Sequence, residues 1–350
     1  METTKYYSDE ERLNFPDFDT IEVSTTTYTA QTNLVLDLDK ISARLPLTEY
    51  TVVPKRRGRK KKTVVEDPNK DVPYGSIITV DYKGELRGTN IKCKCCKVED
   101  EPTSRCSHCV KQQTKKNKKG FRNSFTVVIV LDKLINFKVY KNGTFQMTGC
   151  KSLDHAEMCV KTVWNFVKSD PEMHSFSFGT SLDVIFIPAM RNIDFSLGFK
   201  INRKRLHQYI TRETNWHSFW EEDIGQQIYT GVNIQVPSNK KVTEMKLTNI
   251  VVPSKEDEWG EKTLVDYMTY VDRIEDTKDK RTKLGAKKDN TFLAFESGNL
   301  IMSGCCEEFM RDSYNDFISL IKDAYSEIKE QNKASESSDI ANLVFSICNE

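Results

Sequence analysis

The chain has 350 residues, 38% of them hydrophobic and 29% charged, enough for two or three domains or for one pseudo-symmetric unit with polar insertions. No stretch approaches the 18 apolar residues of a membrane span, and METTKYYSDEERLNF lacks the basic start and apolar core of a secretory signal, so an intracellular protein is expected. The 52 basic and 51 acidic side chains cancel, but the runs PKRRGRKKK (residues 54–62) and KKNKKGFR (residues 115–122) make the local field strongly positive.

In chain order, the first half predicts a strand over Ile21 to Ala30, a short helix over Leu38 to Leu45 and a strand over Gly75 to Tyr82. A hairpin follows, turning at Asn142-Gly143, and then a helix from Leu153 to Val167 with Ser152 placed to cap it. The second half repeats the order. A strand is expected over Val184 to Gly198, a helix over Asn202 to Glu213 and a strand over Ile228 to Pro237. A hairpin turning at Ser297-Gly298 leads to a helix with Met310, Tyr314, Phe317, Ile321, Ala324 and Ile328 on one face. NFKVYKNGTFQMTGC lies over TFLAFESGNLIMSGC without a gap at a constant offset of 155, pairing Tyr140 with Phe295, Gly143 with Gly298 and Cys150 with Cys305. An amphipathic helix after each hairpin has to cover one sheet face, which leaves the other face free.

The expected organisation is an amino-terminal tail (1–17), a first repeat (18–170) with a basic insertion (54–73) and a cysteine-rich insertion (87–122), a second repeat (171–330) with polar insertions (237–260, 273–290), and a carboxy-terminal tail (331–350). Five of the ten cysteines fall between Cys93 and Cys109. Cys93-x2-Cys96 followed by Cys106-x2-Cys109 has the spacing of a zinc knuckle or ribbon, in which four thiolates close a tetrahedral structural site, with Cys95 and His108 as alternative ligands. One structural Zn2+ is therefore expected. The remaining cysteines, Cys150, Cys159, Cys305, Cys306 and Cys348, read as buried thiols. In PKRRGRKKK, Arg57-Gly58-Arg59 flanked by lysines resembles an AT-hook; Arg56, Arg57, Arg59 and Lys60 are candidate phosphate or minor-groove contacts, with a nuclear-import signal or a solvated loop as the other readings. GxxxxGK[ST], GxSxG and HExxH are all missing from the sequence, and the five histidines show no paired spacing, so an enzyme is not expected.

The two copies FKVYKNGTFQMTGCKS and FLAFESGNLIMSGCCE resemble the signature "LIFxSGKxxxTGAK" of the TATA-box-binding protein (TBP) family. PYGSIITVDY resembles the family's "FPGLIYR" strand, and MRNIDFSLGFKI its "QNMVGSCDVKF" strand. About 200 residues can be laid on the pattern, and the long insertions resemble those of the divergent members carried by large DNA viruses. The resemblance implies an α+β fold: a pseudo-symmetric two-repeat saddle whose curved antiparallel sheet meets the DNA minor groove on its underside, with covering helices above and a zinc-binding insertion beside it. It also implies the partners, namely A/T-rich double-stranded DNA, an initiation-factor-IIB-like protein and RNA polymerase subunits, and a location in the nucleus, a cytoplasmic viral factory or the virion.

Carried over residue by residue, the resemblance makes Tyr140 and Phe295 wedges that unstack base steps. The first repeat's partner wedge is Tyr74 by the PYGSIITV match or Phe125 by matching FTVVIV to the family's "FAAVIM"; the second-repeat region DIGQQIYTG offers no clear equivalent. Asn192 takes the place of the groove-reading Asn, with its first-repeat counterpart near Thr25; Thr148 and Ser303 take the Thr positions, Gln146 and Ile301 the Val positions. An aromatic before a β-turn can equally be a packing residue. The leading expectation is thus a promoter-bending initiation factor, and the alternative is a TBP-fold interaction scaffold that has lost insertion into DNA.

Overall fold

The structure is a computed structural model that describes residues 13–52, 67–91, 122–221, 231–253 and 258–330. In chain order the elements are β1 (Val23–Thr32), β2 (Leu34–Leu36), α1 (Leu38–Arg44), β3 (Ser76–Tyr82), β4 (Glu85–Gly88), β5 (Ser124–Val130), β6 (Leu134–Tyr140), β7 (Thr144–Cys150), α2 (Leu153–Val167), β8 (His174–Phe176) and β9 (Leu182–Ser196). Then follow α3 (Arg203–Glu213), β10 (His217–Phe219), β11 (Gly231–Val236), β12 (Lys246–Val252), β13 (Lys262–Asp266), α4 (Tyr267–Asp272), α5 (Thr277–Leu284), β14 (Asn290–Phe295), β15 (Asn299–Gly304) and α6 (Glu307–Ile328). The fold is mixed α+β, and among the described residues the strand pairs within each unit are antiparallel.

Local chemistry explains the boundaries. Asp37 accepts the Lys40 N–H at 3.0 Å and starts α1, and Asn202 does the same for α3 through the Arg205 N–H. Ser152 stands at the cap position of α2, as expected, but makes no capping bond with its side chain. Each repeat hairpin turns on a glycine in the left-handed region, Gly143 at φ +71° and Gly298 at φ +83°. A Cβ there would fall 2.3 Å from the Leu34 carbonyl oxygen or 1.9 Å from that of Phe199, so both turns exclude a side chain for two reasons at once.

The chain divides into two compact units, Thr25–Ala189 with Met245–Lys280, and Met1–Ser24 with Met190–Glu244 and Arg281–Glu350. In the first unit the strands run in the order β4-β3-β5-β6-β7-β1. One side packs Phe125, Phe137, Phe145 and Met147 against Ala156, Val160, Val163 and Trp164 of α2. In the second unit the order is β10-β11-β14-β15 and then residues 191–196 of β9. Its core side carries Phe292, Ala294 and Met302 beneath α6, whose Met310, Tyr314, Phe317, Ile321, Ala324 and Ile328 are all buried as their spacing predicts. Phe292 and Phe317 stack at 4.1 Å between ring centroids, 9° from parallel.

The repeat is exact in register. Asn136 pairs with Thr148 and Phe137 with Met147 in one hairpin; Thr291 pairs with Ser303 and Phe292 with Met302 in the other, each residue shifted by the 155 of the sequence. Part of the polar insertion expected over 237–260 is sheet: β12 pairs with β13 and with residues 182–186 of β9 in the first unit and puts Ile250 and Val252 into its core. The alternation of KLTNIVV was the available signal.

Candidate nucleic-acid interface

In each unit the sheet side opposite the helices carries no helix among the described residues, and its composition follows from strand alternation. In the second unit it carries Asn192 and Asp194 of β9, Ile301 and Ser303 of β15, Thr291, Leu293 and Phe295 of β14, Asn233 and Gln235 of β11, and Phe219 of β10. Asn192 lies across from Ser303, and Ile301 across from both Leu293 and Asp194. Phe295 is half-buried on this face, whereas its neighbours Phe292 and Ala294 are fully buried on the other. Phe219, 48% exposed on the edge strand, is an aromatic of this face that sequence reasoning missed, because a strand of three residues gives no periodicity to read.

In the first unit the corresponding face carries Thr29 and Gln31 of β1, Thr144, Gln146 and Thr148 of β7, Asn136, Lys138 and Tyr140 of β6, and Ser124, Thr126 and Val128 of β5. Tyr140 is half-buried and its hydroxyl donates to Gln146 Oε1 at 3.2 Å; the Thr148 hydroxyl donates to the Asn136 carbonyl at 3.1 Å. Both faces are therefore dominated by hydroxyl, amide and apolar groups, with Asp81 and Lys138 on one and Asp194 on the other as charged members.

Register also resolves the wedge alternatives. Ser124 pairs with Tyr140 as Gly231 pairs with Phe295, and Asp81 and Thr79 of β3 pair with β5 as Phe219 and His217 of β10 pair with β11. Hence β5 is the counterpart of β11 and β3 that of β10. The PYGSIITV stretch occupies the edge-strand place and the FTVVIV stretch the place beside the hairpin. Phe125, the wedge by that second match, is buried at 0% in the core, edge-on to Tyr82 at 6.4 Å, because alternation turns it to the helix side. It is not a surface wedge. Tyr74 is exposed at 54%, but its turn backs onto α2, where a Cβ on Gly75 would lie 3.6 Å from Met158 Sδ. Partial burial and then the nearby carboxylates Asp132 and Asp154 hold its phenol above the usual range. The first-repeat counterpart of Asn192 is also shifted: Thr29 lies across from Gln146 as Asp194 does from Ile301, which puts Thr27, beside a bulge, in the Asn192 place instead of Thr25.

Arg56, Arg57, Arg59 and Lys60, and the thiols of Cys93, Cys96, Cys106 and Cys109, lie outside the described residues. Among the described residues no group of three or more His, Cys, Asp or Glu side chains is placed to hold a metal ion, and no helix is long and apolar enough to cross a membrane. Cys150, Cys159 and Cys305 are buried and Cys306 half-buried; burial pushes the Cys150 thiol up to about 11.

No family model matches the chain. A protein of Acanthamoeba polyphaga mimivirus described as TATA-box-binding protein-like is 31% identical over 139 residues, which is 36% of this chain and 38% of that protein. Over that stretch the chain is similar to the viral TBP-like protein. Uncharacterized protein 335L of Invertebrate iridescent virus 6 is 27% identical over 212 residues, 59% of this chain and 62% of that one. The chain thus matches less than two thirds of the length of either relative, and both are viral. The Methanococcus jannaschii TBP aligns at 12% identity with a TM-score of 0.39, over 88% of this chain and 99% of that one.

Proposed function

We propose that this TBP-like chain is a DNA-binding factor for transcription initiation that holds A/T-rich duplex through the minor groove and bends it, and that it acts by binding and not as an enzyme. The observation that carries the reading is the pair of helix-free faces, each rich in Thr, Asn, Gln and aliphatic side chains and each ending its hairpin in one half-buried aromatic, Tyr140 or Phe295. Minor-groove edges offer little beyond acceptors and the G amino group, so amides, hydroxyls and apolar contacts suit them better than a field of guanidiniums. Apolar wedges unstack base steps at a cost that the extra contacts of bent DNA offset. The basic run at Arg56, Arg57, Arg59 and Lys60 would add phosphate contacts, and zinc at Cys93, Cys96, Cys106 and Cys109 would order the 87–122 insertion. An initiation-factor-IIB-like protein and RNA polymerase subunits are the partners this reading assigns to the helix side.

Duplex binding measured across a salt series, with bending followed by fluorescence transfer between the duplex ends, tests the proposal. Binding that steepens at low salt and shortens the end-to-end distance supports it; no salt-dependent duplex binding refutes it. The second reading, an interaction scaffold without DNA insertion, draws on Asp81 and Asp194, carboxylates on the faces themselves. Duplex-independent capture by an initiation-factor partner would favour it.

A further inference from the structure

The two helix-free faces are matched in register but not in accessibility. At the counterpart pairs, Gln235, Asn233 and His217 of the second unit are exposed, whereas Val128, Thr126 and Thr79 of the first unit are buried, half-buried and buried. Gly88 ends β4 opposite Thr79, and beyond it Asn90 and Ile91 line a cleft of about 190 Å³ together with Leu86 and the face residues Thr79, Asp81, Thr126, Val128 and Asn136. This segment is pinned on both sides of Thr89. Its N–H donates to the Ile78 carbonyl at 2.9 Å, and its carbonyl accepts from the Thr79 hydroxyl at 2.6 Å. Gly88 makes the path possible, at φ +80° with the place of its Cβ only 2.2 Å from the Ile78 carbonyl oxygen.

We infer that residues 88–91 are a self-docked strap that competes with duplex DNA for the first unit's face, so that the open face of the second unit, around Phe295, Leu293, Asn233 and Gln235, is the surface that engages duplex first. This rests on the proposed DNA-binding reading. The chemistry of the competition is on the strand: the Thr79 hydroxyl is spent on the Thr89 carbonyl, and Asn90 and Ile91 share a cleft with Val128, an aliphatic group suited to a groove floor. A duplex seated there has to replace the strap's contacts, and the apparent affinity falls by the fraction of molecules in which the strap is docked.

Thr79→Val removes the hydroxyl that holds the Thr89 carbonyl while keeping a β-branched residue in the strand, and Gly88→Ala blocks the path by sterics. Each should speed amide exchange at Thr89 and raise duplex affinity about two- to tenfold, the weight of one hydrogen bond in the docking equilibrium. Hydroxyl-radical footprints should lengthen on one side. Faster exchange with unchanged or weaker binding overturns the strap, and so does unchanged exchange in both variants. If Gly88→Ala fails to fold, Thr79→Val decides alone. Wild-type chain that binds duplex, with bending that depends on Phe295 but not on the strap, refutes only this inference; absence of duplex binding in all forms refutes the reading beneath it.

Discussion

Gly231 on β11 lies directly across from Phe295 on β14, in the same register relationship that sets Ser124 on β5 across from Tyr140 on β6. In both hairpins the aromatic at the open face is therefore opposed by a residue too small to form a second wedge. At Gly231 the place of a Cβ lies 3.0 Å from Leu293 Cδ1, so the Leu293 side chain leans into the space that a larger residue would take. Each hairpin end presents one ring on its face.

From this follows an order of importance. Phe295→Ala should reduce DNA bending more than Tyr140→Ala, because the Tyr140 hydroxyl has to give up its bond to Gln146 or carry it along, while the Phe295 ring has no polar group to desolvate. Fluorescence transfer between duplex ends measures it. Both rings are half-buried, so thermal stability should fall by only about 1 kcal/mol in either variant. A loss of several kcal/mol at Phe295 with bending intact would make the ring a packing residue.

Phe125 behaves differently. Its ring is sealed in the core, and Phe125→Ala should cost about 3–5 kcal/mol in denaturant unfolding, the size of an emptied aromatic site. Bending per bound molecule should stay unchanged at temperatures where the variant is folded, which separates it from Phe295.

For the cysteine-rich insertion, metal analysis of purified protein should find one zinc per chain, lost when Cys93 and Cys96 are both changed to Ser. The described part of the fold should keep its melting temperature, since its two cores contain none of these cysteines. Equal zinc in wild type and variant would remove the site.

Replacing Arg56, Arg57, Arg59 and Lys60 with Ala should weaken binding to every duplex alike and flatten the slope of log K against log salt by up to about one unit per lost phosphate contact. An unchanged slope would show that these side chains do not reach phosphate.

The sequence by itself determined the duplication, both hairpins with their glycine turns, the two covering helices and the split of each strand into a core side and an open side. All of these are local: period two or 3.6, an Asn-Gly or Ser-Gly turn, and a self-match over fifteen residues are written in neighbouring positions. Phe292 and Phe295 could be sent to opposite faces from alternation alone. Only the tertiary structure decided which strand stands beside which. Strand order and register depend on pairings between segments tens of residues apart, so FTVVIV and PYGSIITV are equivalent by local pattern, and only the pairing sets β5 next to β6 and β3 outside it. The same pairing turned Phe125 into the core, put Gly231 against Phe295, drew β12 into the first unit's core and set Asn90 and Ile91 in one cleft with Thr79 and Val128. Apart from the alternation of KLTNIVV, none of these has a signature in the chain, because each is decided by which distant groups compete for the same sheet face and not by the residues that flank them.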